Sequence, residues 1–332
     1  MERIAIAMVH GHAGKWLQTA VHSLKKYPNL VANQIFIATT WPGHPSIKAV
    51  METDLGEDIT VIECKRRLYS HATGLDEILE HLLWLRDQGV TYDYMFAMET
   101  DCVACEIGWL DWFHSFLKEN ENKGMAGFFW HEGNNHYNIN PSGTLYRVSM
   151  LEKYHKEVRN NKEGIFWHPR GNKADTEGGM DPTIKEVAGV FSETRGIKDP
   201  NPAQLEAILK GIPQASWFEP GSWLYYRSLG EYESISVPCD HIYMPMGSYN
   251  PPEGTYYGGK QAPKFIHYWG GTRAWDHLKH PVSDNFVKSC SPHWIEREHN
   301  IWRSTVPEKY HPIIHSIYDE LKLKGLGRDG EV

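Results

Sequence analysis

The chain is 332 residues long, 41% hydrophobic and 23% charged, with a formal net charge of -8 at pH 7. That length buries a large core, as one α/β domain or one domain with an appendage. The acidic balance argues against a nucleic-acid partner or an anionic membrane surface, which want clustered Lys and Arg. No run approaches the ~18 apolar residues of a membrane span, and the N-terminus lacks a basic stretch followed by a long apolar one. A cytoplasmic protein without an integral membrane segment is expected.

Arg3–His10 reads as an apolar first strand that ends in the loop HGHAG. Lys15–Lys26 carries apolar residues at Trp16, Leu17, Ala20, Val21 and Leu24, which is helical spacing. Gln34–Thr40 is a second strand, Ser46–Leu55 a second helix and Asp58–Cys64 a third strand. The next helix has its body at Leu75–Arg86, with Ser70 or Thr73 as its cap, and the apolar run Tyr94–Met98 is the fourth strand. This alternation predicts an α/β fold with a mostly parallel, Rossmann-like sheet, right-handed crossovers and helices on both faces.

The fourth strand delivers two carboxylates, Glu99 and Asp101, two positions apart. Continued strand geometry points both to the same side. Ligands dock where buried strands of open α/β sheets end. Two hard oxygen donors there suit Mg2+ or Mn2+ and the phosphates such an ion carries. Cysteines 64, 102, 105, 239 and 290 are odd in number and scattered, so no disulfide framework is expected. The Cys102–Cys105 pair has the CxxC spacing of a zinc ligand, but no second CxxC follows it.

Beyond the carboxylates the rhythm changes. Gly108–Lys118 is a short helix and Gly124–Trp130 a strand, and SGTLYRVSMLEKYH (142–155) reads as turn, strand and helix start. Asn160–Asp181 is a loop rich in Gly, Asn and charge, and Gln204–Lys210 is helical. Residues 213–275 hold short strands and turns that close with KFIHYWGGTRAW, and a mainly helical extension (276–332) has Ile313–Leu323 as its clearest helix. Thirteen Trp and nineteen His supply many flat amphipathic faces and imidazoles, as a protein handling sugar rings would.

These features in order (IAIAMVHGHAG with its helix, Glu99-Thr100-Asp101, SGTLYRVSMLEKY and HYWGGTRAW) resemble a nucleotide-sugar-dependent glycosyltransferase of the A-type (GT-A) fold. The last motif is similar to the closing motif of glycogenin and the bacterial lipopolysaccharide galactosyltransferases. The resemblance covers residues 3–275. It implies a domain over 1–275, with a nucleotide-sugar half (about 1–105) and an acceptor half (about 106–275) that includes a small antiparallel element. It also implies a hexosyltransferase-like enzyme with a nucleotide-sugar donor, UDP-sugar by default, and a glycan or other hydroxyl acceptor.

Under that resemblance Asp101 is the direct metal ligand. Glu99, where the family usually has Asp, ligates through water or holds ribose hydroxyls. His267 completes the metal site, and its imidazole tilts preference towards Mn2+ over Mg2+. Arg273 contacts the diphosphate with its fork of donors. Nucleotide contacts are expected from strand ends and the next helix start, at His10, His12, Arg66, His71 and Thr73. Trp130, Trp217 and Trp223 are expected along the acceptor cleft. An inverting enzyme needs a base for the acceptor hydroxyl, and Asp181 in GGMDPTIKEV fits, with Glu177 and Asp175 as alternates. A retaining enzyme needs none, so stereochemistry stays open. The alternatives are a nucleotidyltransferase making nucleotide sugars, for which HGHAGK is only a faint phosphate loop, and a non-catalytic carbohydrate-binding protein on the same fold.

Overall fold

Every side chain of β4 (Tyr94–Met98) is buried, as expected for an apolar run with no polar face. The structure, a computed structural model, describes residues 2–11, 15–65, 71–132, 136–139, 141–158, 164–166, 220–242, 254–268 and 297–323. The other strands are β1 (Arg3–His10), β2 (Ala32–Thr39), β3 (Ile59–Glu63), β5 (Cys102–Ala104), β6 (Lys123–Gly127), β7 (Phe129–Glu132), β8 (His136–Ile139), β9 (Thr144–Arg147), β10 (Glu233–Ser236), β11 (Cys239–Ile242), β12 (Gly254–Tyr257) and β13 (Phe265–Tyr268). Helices α1 (Trp16–Lys26), α2 (Pro45–Met51), α3 (His71–Asp87), α4 (Trp109–Ser115), α5 (Val148–Val158), α6 (Ser222–Ser228) and α7 (His311–Leu323) complete the labelled set. The fold is α/β, with a seven-stranded sheet of order β10-β6-β9-β4-β1-β2-β3, a four-stranded sheet β11-β12-β13-β5 and the hairpin β7-β8. The large sheet is mostly parallel, with β9 running against both of its neighbours, β4 and β6.

The chain divides into two compact units, and β1 contributes Arg3–Ala7 to one and Met8–His10 to the other. The first unit also holds 64–98 and 113–237. Within it Arg147 at the end of β9 ties down the approach to β6. Its guanidinium donates to the carbonyls of Leu117 (2.6 Å), Asn120 (3.0 Å) and Lys123 (3.1 Å) and to the Tyr94 hydroxyl (3.3 Å). The expected strand 124–130 is instead two. β6 ends at Gly127, where a β-carbon would meet the Thr144 hydroxyl at 2.2 Å, and the chain passes through Phe128 into β7, which pairs with β8. The third helix begins at His71, so Thr73 lies inside α3 rather than capping it.

The second unit holds 8–63, 99–112 and 238–332. Helix α1 buries Trp16, Leu17, Ala20, Val21 and Leu24, the stripe read from the sequence. Leu17, Val21 and Leu24 each contribute about 1.5–3 kcal/mol by leaving water, more than intrinsic propensity supplies over one turn. Helix α2 starts on Pro45, with His44 Nδ1 accepting from the Ser46 N–H at 3.1 Å. It stops at Met51, short of the expected Leu55. There Thr53 Oγ1 donates to the Val50 carbonyl at 2.6 Å, and a 3-10 turn, Gly56–Asp58, leads into β3. In the C-terminal region, residues 297–305 are helical. The buried Trp302 joins Val306, Ile314, Ile317 and Ala49 of α2 in a small core, with the Lys15 ammonium 4.2 Å above its ring.

Candidate active site

The site is built inside the second unit by the antiparallel pair β5–β13. The ladder runs from Tyr268 N–H donating to the Asp101 carbonyl (2.9 Å) to Cys105 N–H donating to the Lys264 carbonyl (2.9 Å), and it sets His267 directly opposite Cys102. Strand β13 is held by rings on both sides of His267. Trp109 stacks on Phe265 at 5.1 Å between centroids, and Trp16 lies 5.6 Å from Tyr268. Ser23 Oγ of α1 accepts the Ala104 N–H at 3.0 Å, which seats β5 on the helix. The next strand pairs complete a row, His241 to Thr255 to His267 to Cys102. Residues directly opposite one another in antiparallel strands project to one face, so this row shares a face of the four-stranded sheet.

His267 Nε2 lies 3.0 Å from Glu99 Oε2 and 3.6 Å from Asp101 Oδ1. The first distance is a hydrogen bond and the second is too long for one. Asp101 is 1% exposed and its Oδ1 accepts no hydrogen bond among the described residues, whereas the Glu99 side chain is 34% exposed. Burial pushes the Asp101 carboxyl up to about 6; the His267 charge opposes that shift, the Glu99 charge adds to it, and Arg297 lowers it slightly. Leaving a buried carboxylate oxygen without a donor costs about 1–3 kcal/mol or more. A cation between these groups would remove that cost. The ligand atoms of Asp101, Cys102 and His267 all lie within 4.8 Å of one another. Carboxylate, thiol and imidazole donors converging on a buried carboxylate oxygen fit a divalent metal ion.

The two carboxylates converge, though not by strand alternation. Strand β4 ends at Met98, and Thr100 and Asp101 form a turn before β5. It is this turn, together with the pairing of Asp101 to β13, that brings both carboxylates to one imidazole. Cys102 was not legible as a member. As half of a CxxC it pointed to a thiol pair, but Cys105 turns its Sγ to the Val103 carbonyl at 3.6 Å. Arg297 was missed as well, because nothing local marks the helical stretch 297–305 as belonging near the carboxylates.

Other expected residues fall as follows. His10 is buried at the end of β1, with Nδ1 3.3 Å from Thr39 Oγ1 and its ring 4.7 Å from that of His44, which in turn meets Trp41 at 4.9 Å. His71 and Thr73 are half-buried in the first turn of α3, in the first unit. Trp130 lies in β7 and Trp223 in α6. His12, Arg66, Asp175, Glu177, Asp181, Trp217 and Arg273 lie outside the described residues.

No family model matches the chain, and no curated protein matches it. Solved structures do. S. aureus TarS (1–349) is similar at 10% identity and a TM-score of 0.34, over 46% of this chain and 49% of that one. The mannosyltransferase PcManGT from Pyrobaculum calidifontis, in complex with GDP-Man and Mn2+, is similar at 10% identity and a TM-score of 0.42, over 99% of this chain and 77% of that one. The 4-diphosphocytidyl-2C-methyl-D-erythritol synthase from Anaerococcus prevotii is similar at 6% identity and a TM-score of 0.35, over 53% and 82%. The chain thus spans about half of the TarS chain that it matches. The similar structures include glycosyltransferases of the A type. Identities and TM-scores this low assign no chemistry to this chain. No described helix is long and apolar enough to cross a membrane.

Proposed function

We propose that this chain is a metal-dependent glycosyltransferase that moves a sugar from a nucleotide-diphosphate sugar, a UDP-sugar by default, to a glycan or other hydroxyl acceptor. One observation carries the reading: the buried Asp101 Oδ1, without a hydrogen-bond donor among the described residues, stands 3.6 Å from the same imidazole nitrogen that Glu99 engages at 3.0 Å. In a structural ion pair the second carboxylate would find a donor of its own. A cation beside that oxygen would supply the missing partner, and this supports the reading.

A divalent ion, Mn2+ ahead of Mg2+ on the strength of the imidazole, would act as Lewis acid for the charge that grows on a leaving diphosphate. Asp101 and His267 hold that ion from the buried side. Glu99, more exposed, reaches it through water or binds ribose hydroxyls. Arg273 and Arg297 are the guanidinium groups assigned to the diphosphate, whose oxygens match their paired donors. His10, at the buried end of β1, is assigned to the nucleotide, as are His12, Arg66, His71 and Thr73 from their places in the sequence. Trp130, Trp217 and Trp223 are assigned to the acceptor, where a flat ring stacks on a sugar face. In an inverting reaction Asp181 takes the proton of the acceptor hydroxyl, with Glu177 as its alternate.

The test is a panel of nucleotide sugars incubated with the purified protein, with and without a divalent cation, with nucleoside diphosphate release as the readout. Cation-dependent release from one donor, lost in Asp101→Asn, is the expected result. Release that ignores the cation, or no release from any donor, overturns the assignment.

A further inference from the structure

We propose that the Cys102 thiolate is a third protein ligand of this cation, so that the site prefers thiophilic divalent ions, Zn2+ or Co2+, over Mn2+ and Mg2+. This rests on the metal site of the proposed function and specifies its ligand set. Cys102 is fully buried at the start of β5 and stands directly opposite His267 in the β5–β13 register. Opposed residues of an antiparallel pair project to one face, so the thiol and the imidazole share a side. Its Sγ lies within 4.8 Å of the ligand atoms of both Asp101 and His267, close enough for one ion to sit between all three. The independent sign of a missing ligand is Asp101 Oδ1, on a side chain 1% exposed and without a hydrogen-bond donor among the described residues.

Chemistry decides which ion. Carboxylate oxygen alone suits Mg2+ and Mn2+, imidazole is shared among Mn2+, Zn2+ and Co2+, and thiolate selects the softer ions strongly. Three buried side chains would supply oxygen, nitrogen and sulfur ligands to such an ion, with the partly exposed Glu99 beside them. Coordination takes the thiolate form, so loading the site releases the thiol proton to solvent.

The test is optical titration of the full chain with Co2+, whose bond to a thiolate gives a charge-transfer band in the near ultraviolet. Wild type develops the band at one equivalent. Cys102→Ser loses it while still folding by circular dichroism, and Cys105→Ser keeps it. In direct titrations, Cys102→Ser lowers the preference for Zn2+ over Mn2+ by at least roughly tenfold, the scale on which ligand-shell changes act. Should the serine variant fail to fold, X-ray absorption of the Zn2+-loaded wild type decides, with a sulfur neighbour at about 2.3 Å expected. Stoichiometric Co2+ binding that Asp101→Asn abolishes, without a thiolate band or with a band that survives Cys102→Ser, overturns the thiol ligand and leaves the carboxylate–imidazole site standing. No stoichiometric binding of Co2+, Zn2+ or Mn2+ overturns both.

Discussion

A β-carbon at Gly254 would lie 2.5 Å from the carbonyl oxygen of His267, so β12 approaches β13 closely only because residue 254 is glycine. The backbone that carries the imidazole is therefore held from the side by the absence of a side chain. Gly254→Ala is expected to push β13 aside, lowering stability by about 1–3 kcal/mol in urea denaturation, as overpacking does. It should also weaken metal binding. Gly11→Ala is the control, since a β-carbon there meets nothing within 4 Å among the described residues. Its stability should stay within about 0.5 kcal/mol of wild type.

Asp101→Asn separates function from stability. The carboxyl, pushed up to about 6 chiefly by burial, is costly to ionise in the metal-free protein, so removing its charge leaves the apo form at least as stable as wild type near neutral pH. Wild type should gain about 2.7 kcal/mol when metal and nucleoside diphosphate are present at a hundred times their dissociation constant. The variant should gain none in the same thermal-shift assay. A variant that still shifts with metal places the site elsewhere.

Trp109, fully buried, stacks on Phe265 two positions before His267. Trp109→Ala is expected to cost about 3–5 kcal/mol. In a double-mutant cycle with Phe265→Ala, the coupling should be on the order of 0.5–1.5 kcal/mol beyond burial. Coupling near zero would mean that the stack does not position β13.

Burial lowers the His22 imidazole to about 4; the Asp54 charge opposes that, and those of His311 and Lys309 add to it. A histidine depressed below its unfolded value of 6.5 keeps the fold stable above that pH and destabilises it as pH falls towards 4. The full loss is roughly 3 kcal/mol at 1.36 kcal/mol per unit. Urea midpoints measured from pH 7.5 down to 4.5 should therefore fall, and His22→Phe should flatten part of the slope. His81, His241, His299 and His315 are also lowered, first by burial, and act in the same direction.

For an inverting reaction, Asp181→Asn should cut transfer by the 10²–10⁴ typical of a lost general base, with nucleoside diphosphate affinity unchanged. Loss of both would assign Asp181 to structure.

Much of the architecture was legible because it is local. The run Tyr94–Met98, the stripe Trp16–Leu24 and the turn–strand–helix of 142–155 each signal their element through side-chain period alone, and the structure keeps each of them. Local period fails where a neighbour's geometry intervenes. It could not foresee that β6 ends at Gly127, where Thr144 packs closely, or that α2 ends early at the Thr53 turn. The candidate site divides in the same way. Glu99 and Asp101 announce themselves by type and spacing, and His267 by a motif.

From the order of residues alone came an acidic pair at the end of a buried strand, because burial and strand length are written in a few neighbouring side chains. That the pair faces an imidazole 168 positions away, with a thiol directly opposite that imidazole, depends on the register of β13 against β5. Register is a choice among distant strand partners, made by the stacking of Trp109 and Trp16 on the residues flanking His267 and by glycine at 254. No short stretch of chain contains it.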